Sequence, residues 1–245
     1  MAGRFIIYTD TFLLRLSLWL FSKNVNRTGY AVDKTINYFD LGTHERANEL
    51  NWVFKDILIK LPNPFNIYAF EANPSTYEIA LTNTAEILSL KFFNLALVNK
   101  MPQTGYARLY KFGNGLGDSL YRPEYAEYVE VPARRFSELL KEEDIHLEDS
   151  INILRMNIEG CEMDVIQDLI NNDLVKYFDG FYGMWDDLSK IDYAKDREFR
   201  KMLKKASIYP FPLNGRDMKF KIRKNVIQKS LEQTIFGKGK VASNS

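Results

Sequence analysis

Thr35-Ile36-Asn37-Tyr38-Phe39-Asp40-Leu41-Gly42-Thr43 and Asn66-Ile67-Tyr68-Ala69-Phe70-Glu71-Ala72-Asn73-Pro74 frame the stretch that decides the fold. Each is a short apolar run that stops at an acid. Between them, Glu45 to Val53 has helical spacing of apolar residues. Strand, tight turn, helix, strand is the unit of an open α/β sheet, whose ligands sit at the carboxyl ends of its strands. Gly42 lets the backbone turn sharply and lets a ligand come close. The helix that follows aims its free N–H groups at whatever binds there. Glu71, ending the second strand, is suited to grip the two hydroxyls of a ribose. The plain alternative is an α/β core unit with two incidental acids.

The same alternation continues outward. Asn73 and Pro74 form a cap and first turn for a helix through Leu81. Leu90 to Val98 reads as one buried strand, and Ala107 to Phe112 as a further one. Tyr128 to Pro132 reads as an edge strand, because Pro cannot donate to a ladder. A helix is expected over Phe136 to Glu143, a buried strand over Ile151 to Asn157, and a helix after Glu162. Asp179 to Trp185 is a strand, and Tyr193 to Leu203 an amphipathic helix. Ser207–Pro212 and Met218–Ile222 form a hairpin around Asn214-Gly215. Gly113 to Ser119 is glycine-rich but does not fit a phosphate loop.

With no repeat or linker, 1–245 reads as a single domain. It has an N-terminal helical extension over 1–30, a core over 35–222, and a basic helix with a loose tail over 223–245. The apolar run from Phe5 to Phe21 is too short to span a bilayer and contains Arg15. The expectation is a helix packed on the sheet or over the cofactor mouth, with weak peripheral membrane contact as the minority reading. No signal-peptide pattern is present, so the expected location is cytoplasmic.

The net charge of +1 selects neither nucleic acid nor membrane. Its distribution is uneven: from Ile191 to Ser245 there are 14 Lys and Arg against 5 Asp and Glu, a local +9, which leaves −8 for the rest. One cysteine, Cys161, excludes an internal disulfide, and two histidines exclude a His-rich metal site. Glu159 and Asp186 have no evident third ligand, so no metal is expected.

A nicotinamide unit needs G-x-G-x-x-G after the first strand, and Asp40 to Arg46 offers one glycine. S-adenosylmethionine has no pyrophosphate and tolerates a looser turn. Its ammonium suits the acid before the glycine, so the residues favour it over NAD.

Asp40-Leu41-Gly42, Phe70-Glu71-Ala72-Asn73-Pro74, Asn94 to Leu97, Val129 to Leu140 and Leu154-Arg155-Met156-Asn157-Ile158-Glu159-Gly160-Cys161-Glu162 follow in order. Together they resemble the FkbM-type class I methyltransferases. The resemblance implies a Rossmann-like, mostly parallel seven-stranded sheet with a C-terminal antiparallel hairpin. It implies S-adenosylmethionine as cofactor and O-methylation of a sugar, glycan or related small molecule. Asp40, Gly42 and Thr43 would lie along the methionine part. Glu71 and Ala72 would meet the ribose, and Asn94 or Ala96 the adenine. Asn157 and Glu159 would stand beside the methyl. The catalytic candidates are Glu159, Asn157, Asp186 and His44. The chain departs from the family pattern at Arg46, where a second glycine is usual, at Asn157 for Asp, at Arg155 for Lys and at Ser137 for Asp. The basic C-terminal stretch suits a phosphorylated or nucleotide-linked acceptor. The alternatives are a non-catalytic binding protein of the same fold, or an RNA or nucleotide methyltransferase. The latter lacks the expected D/N-P-P-Y/F run.

Overall fold

The computed structural model describes residues 34–61, 63–112, 117–185 and 187–212. The N-terminal extension, Asp186, the Met218–Ile222 half of the hairpin and the basic segment from 213 onward lie outside the described residues.

The strands β1 (Ile36–Leu41), β2 (Phe65–Phe70), β3 (Leu90–Phe93), β7 (Ile151–Met156), β8 (Gly180–Gly183) and β9 (Phe211–Pro212) form one sheet, ordered β3-β2-β1-β7-β8-β9. Every pairing in it is parallel. β1 and β7 are buried along their whole length, as strands covered on both faces must be. Among the described residues this sheet has five full strands and the two-residue β9, which runs parallel to β8; the seventh strand and the antiparallel hairpin partner expected from sequence would fall on residues outside the described ones.

A second sheet carries the remaining strands: β4 (Ala96–Leu97), β5 (Tyr106–Tyr110) and β6 (Tyr128–Arg134), ordered β4-β6-β5. The single strand read over Leu90–Val98 is therefore two, one in each sheet. The chain leaves the main sheet at Asn94, whose side-chain amide donates to the carbonyls of Glu71 (2.8 Å) and Ala72 (3.2 Å). Strand β6 is central rather than an edge. The Ala133 N–H donates to Gly105 toward β5, so by alternation the Pro132 nitrogen faces away from β5. On that other side β4 pairs only with Ala133 and Arg134. Pro132 thus forfeits no bond.

Helices α1 (Asn48–Asp56), α2 (Pro74–Asn83), α3 (Phe136–Glu142), α4 (Glu162–Asn171), α5 (Asp187–Ile191) and α6 (Tyr193–Lys205) complete the fold. One apolar layer packs α1 against Ile36, Tyr38, Ile67 and Ile153. The other packs α3, α4 and α6 against Phe39, Leu41, Phe70, Leu154 and Met156. The alternation of strand side chains decides which layer each joins. Asn73 caps α2 as expected, its Oδ1 accepting from the Ser75 N–H at 3.1 Å. Helix α1 starts later than Glu45, because His44 and Ala47 take left-handed φ values of 62° and 45°. Among the described residues no helix is long and apolar enough to cross a membrane.

Candidate functional site

The carboxyl ends of β1, β2 and β7 and the inner side of the small sheet enclose a cavity of about 320 Å³. The turn after β1 supplies Gly42, Thr43 and His44. The turn after β2 supplies Glu71 and Ala72. The small sheet supplies Leu95, Ala96, Leu97 and Leu109, and the segment after β7 supplies Asn157, Ile158, Glu159 and Cys161. Gly117 to Leu120 complete the lining.

Gly42 is required for a reason other than ligand approach. Its φ is +84°, and a Cβ there would lie 2.0 Å from the carbonyl oxygen of Asn157. The glycine lets the β1 turn lie against the backbone that leaves β7.

Glu71 is fixed by two backbone donors. Its Oε2 accepts the His44 N–H at 3.0 Å, and its Oε1 the Asn73 N–H at 2.9 Å. A carboxylate has about four acceptor sites, so capacity remains for a ligand. Burial raises the Glu71 carboxyl above the ordinary Glu range. The backbone N–H groups of Asn73, His44 and Ala72 pull it back, and nearby Asp118 pushes it further up. Asp118 is itself tied down by the Asn73 amide (2.6 Å) and the Phe112 N–H (2.7 Å).

Asp40 lies behind the cavity wall. It is 1% exposed, with Oδ1 accepting from Arg155 Nη1 at 2.9 Å and Oδ2 from Thr43 Oγ1 at 2.9 Å. Arg155 Nη1 also donates to the Gly42 carbonyl (2.7 Å), and Nη2 to Glu49 Oε2 (2.5 Å). Burial raises the Asp40 carboxyl above the usual carboxylate range, and Arg155 opposes this. Burial likewise works against the Arg155 charge, but Asp40 and Glu49 outweigh it and keep the guanidinium protonated.

The segment after β7 is tightly held. Glu159 has φ 50° and Gly160 φ 103°. The buried Glu162 carboxylate accepts the N–H groups of Ile158 and Gly160, both at 2.9 Å, and Ser119 Oγ donates to the Glu159 carbonyl at 2.7 Å.

Of the residues singled out from sequence, Gly42, Thr43, His44, Glu71, Ala72, Ala96, Asn157 and Glu159 line one cavity. Asp40 and Asn94 brace its wall, and Asp186 is outside the described residues. Trp185 is buried and stacks on Phe199, with ring centroids 6.1 Å apart. Arg46 leaves the turn: its side chain is 72% exposed and meets Glu45 at 3.7 Å at the cavity rim. Sequence reasoning missed Glu49, Asp118 and Ser119. Arg155 gave a signal, a cation within an apolar strand, but its partners are distant in sequence.

An open, mostly parallel sheet with its crevice at the carboxyl edge defines a Rossmann-like α/β protein. Residues 40–178, more than half of the chain, match the model of the methyltransferase FkbM domain, and the chain belongs to that family. Among curated proteins none matches the sequence.

Proposed function

We propose that the chain is an S-adenosylmethionine-dependent O-methyltransferase acting on a hydroxyl of a sugar, glycan or related small molecule. The observation that carries this is Glu71: a carboxylate on the cavity wall, oriented by two backbone N–H groups and with acceptor capacity to spare. That is the chemistry a ribose diol requires. Ala96, Leu97 and Leu109 offer an apolar slot for a flat base beside it. The donor supplies an electrophilic methyl group on a cationic sulfur.

The chain's own residues position and deprotonate. The Glu71 carboxylate holds the diol, and the small-sheet residues exclude water from the base. Asn157 and Glu159 line the same cavity, and the acceptor hydroxyl must lie beside them in line with the methyl. We assign Glu159 as the group that takes the hydroxyl proton, with His44 as its rival on the facing turn. Asn157 cannot take a proton; it can orient the acceptor through its amide. The same substitution is what favours a second reading, a non-catalytic binding protein.

Calorimetry with S-adenosylhomocysteine tests the first reading. Saturable binding that is lost in Glu71→Ala supports it. No heat with the wild-type protein at high concentration refutes it. Binding without transfer to any of a panel of hydroxyl compounds favours the second reading.

A further inference from the structure

Helix α6 presents a charged face that nothing in the fold neutralises. Asp196, Phe199 and Leu203 are buried and mark the side turned to the core. At about 100° per residue, Arg197, Lys201, Lys204 and Lys205 fall together on the opposite side, and all four are exposed. The acids of this segment are mostly engaged elsewhere. Asp192 caps the amino end, accepting the Ala194 (3.0 Å) and Lys195 (3.1 Å) N–H groups. Asp196 is paired with Arg200 Nε at 2.7 Å. Of the three, Glu198 alone is exposed on the helix. Arg197, Lys201, Lys204 and Lys205 form no ion pair among the described residues. Tyr193, in the first turn, borders this face and is 69% exposed.

Lys204 and Lys205 suit the negative end of the helix. Arg197 and Lys201 have no such reason to be basic. They stand in mid-helix one turn apart, where like charges repel. A face that served only solubility would alternate its signs. The strip from Arg197 to Lys205 is about 12 Å long, and its complement is an extended anionic surface. Three of its four cations are lysines, point charges on flexible stems that suit a diffuse layer of anions. A nucleic acid chain is gripped by planar guanidinium forks and stacked rings, and this face has one arginine and one tyrosine. A tyrosine at the rim suits a boundary with one apolar and one wet side.

We propose that the outer face of α6 docks on an anionic phospholipid surface, with Arg197, Lys201, Lys204 and Lys205 against the headgroups and Tyr193 at their level. The contact is peripheral and electrostatic. It does not depend on what the cavity binds, and it gives the described part of the basic C-terminal stretch a partner other than a phosphorylated acceptor.

The test is co-sedimentation of the full chain with phosphatidylcholine vesicles and with mixed phosphatidylcholine–phosphatidylserine vesicles, in low and in high salt. The wild-type protein is expected on the mixed vesicles alone, and high salt releases it. Arg197→Gln combined with Lys201→Gln weakens partitioning about 25-fold, about five-fold for each charge removed. Arg197→Lys combined with Lys201→Arg keeps the charge and retains binding. Neutralising the pair relieves repulsion within the helix, so a urea midpoint at or above that of wild type confirms that the variant is folded. Absent binding by wild type, equal binding to uncharged vesicles, or undiminished binding by the neutralised variant overturns the proposal. A single-stranded RNA that binds wild type and is lost in the neutralised variant, while vesicles are ignored, assigns the face to nucleic acid and overturns it as well.

Discussion

Replacing Arg155 by Met strands a buried charge, and the structure sets the size of the effect. Asp40 is 1% exposed and keeps only Thr43 Oγ1 as a side-chain donor once the guanidinium is gone. The Gly42 carbonyl loses a donor at 2.7 Å as well. Removing one partner of a buried pair costs about 3–5 kcal/mol. Because Thr43 remains and Glu49 is partly solvated, the lower part of that range applies, about 3–4 kcal/mol. For a chain of this size that lowers Tm by about 6–16 °C. Adding Asp40→Asn removes the stranded charge, so the double variant should regain more than half of the loss. Urea denaturation of the four proteins in a double-mutant cycle measures this. The pH dependence has a definite sign. Without Arg155, the folded-state pKa of Asp40 rises further above its unfolded value. The folded state then holds the proton more tightly, and the deficit shrinks as pH falls from 7 toward the carboxylate range. A loss below about 1 kcal/mol at pH 7, or a deficit that does not change with pH, would refute the reasoning.

Glu71 gives a second pH signature. S-adenosylhomocysteine affinity should weaken on acidification, starting above the ordinary Glu range because burial raises this carboxyl, and calorimetry on Glu71→Gln should show a weaker, pH-independent affinity. In the free protein the sign is opposite: the buried carboxylate costs stability above its folded pKa, and this cost disappears as pH falls through it. Gly42→Ala places a Cβ 2.0 Å from the Asn157 carbonyl at φ +84° and should destabilise by about 2–4 kcal/mol, read from the urea midpoint. Glu162→Gln leaves one oxygen for two backbone donors. It should cost about 1–3 kcal/mol and speed hydrogen exchange at Ile158 and Gly160, while more distant sheet amides keep their protection.

The two acids that end β1 and β2 were legible because strands buried on both faces read as apolar runs, and the stops are conspicuous. Their roles were not equally legible. Glu71 faces the cavity and Asp40 does not, and the difference lies in Arg155, 115 residues from Asp40 in sequence. Arg155 stood out in the sequence as a cation in an apolar strand. The choice between Asp40 and Glu49 as partner, or the sharing between them, is set by the parallel pairing of β1 with β7 and by the start of α1. The small sheet was hidden for a similar reason. Nothing in the composition of Leu90–Val98 marks a break. The break comes from Asn94 bonding to the turn after β2, a contact between segments. The departure at Ser137 is likewise offset from elsewhere: Asp168 of α4 accepts its N–H (2.7 Å) and its hydroxyl (2.8 Å), supplying from a neighbouring helix the acid the position lacks.

Arg46 is the departure that most threatened the site, and backbone conformation explains why it does not fill the turn. A glycine is needed only where φ is positive or a Cβ has no room. Residue 46 is not among the left-handed positions; the turn takes its positive φ at His44 and Ala47 instead. Non-glycine residues held this way cost about 1–2 kcal/mol each. Three of the six in the described residues, His44, Ala47 and Glu159, stand at or beside the cavity. The bonds that hold them converge on it. The His44 N–H donates to Glu71, the Ala47 N–H to the His44 carbonyl, and the Glu159 carbonyl accepts from Ser119. Glu71 therefore does two jobs: it orders the strained turn, and in doing so has its own carboxylate oriented for a ligand. The strain is thereby coupled to the residue on which binding rests, and an arginine at 46 is free to point outward because the turn's unusual conformations are carried by its neighbours.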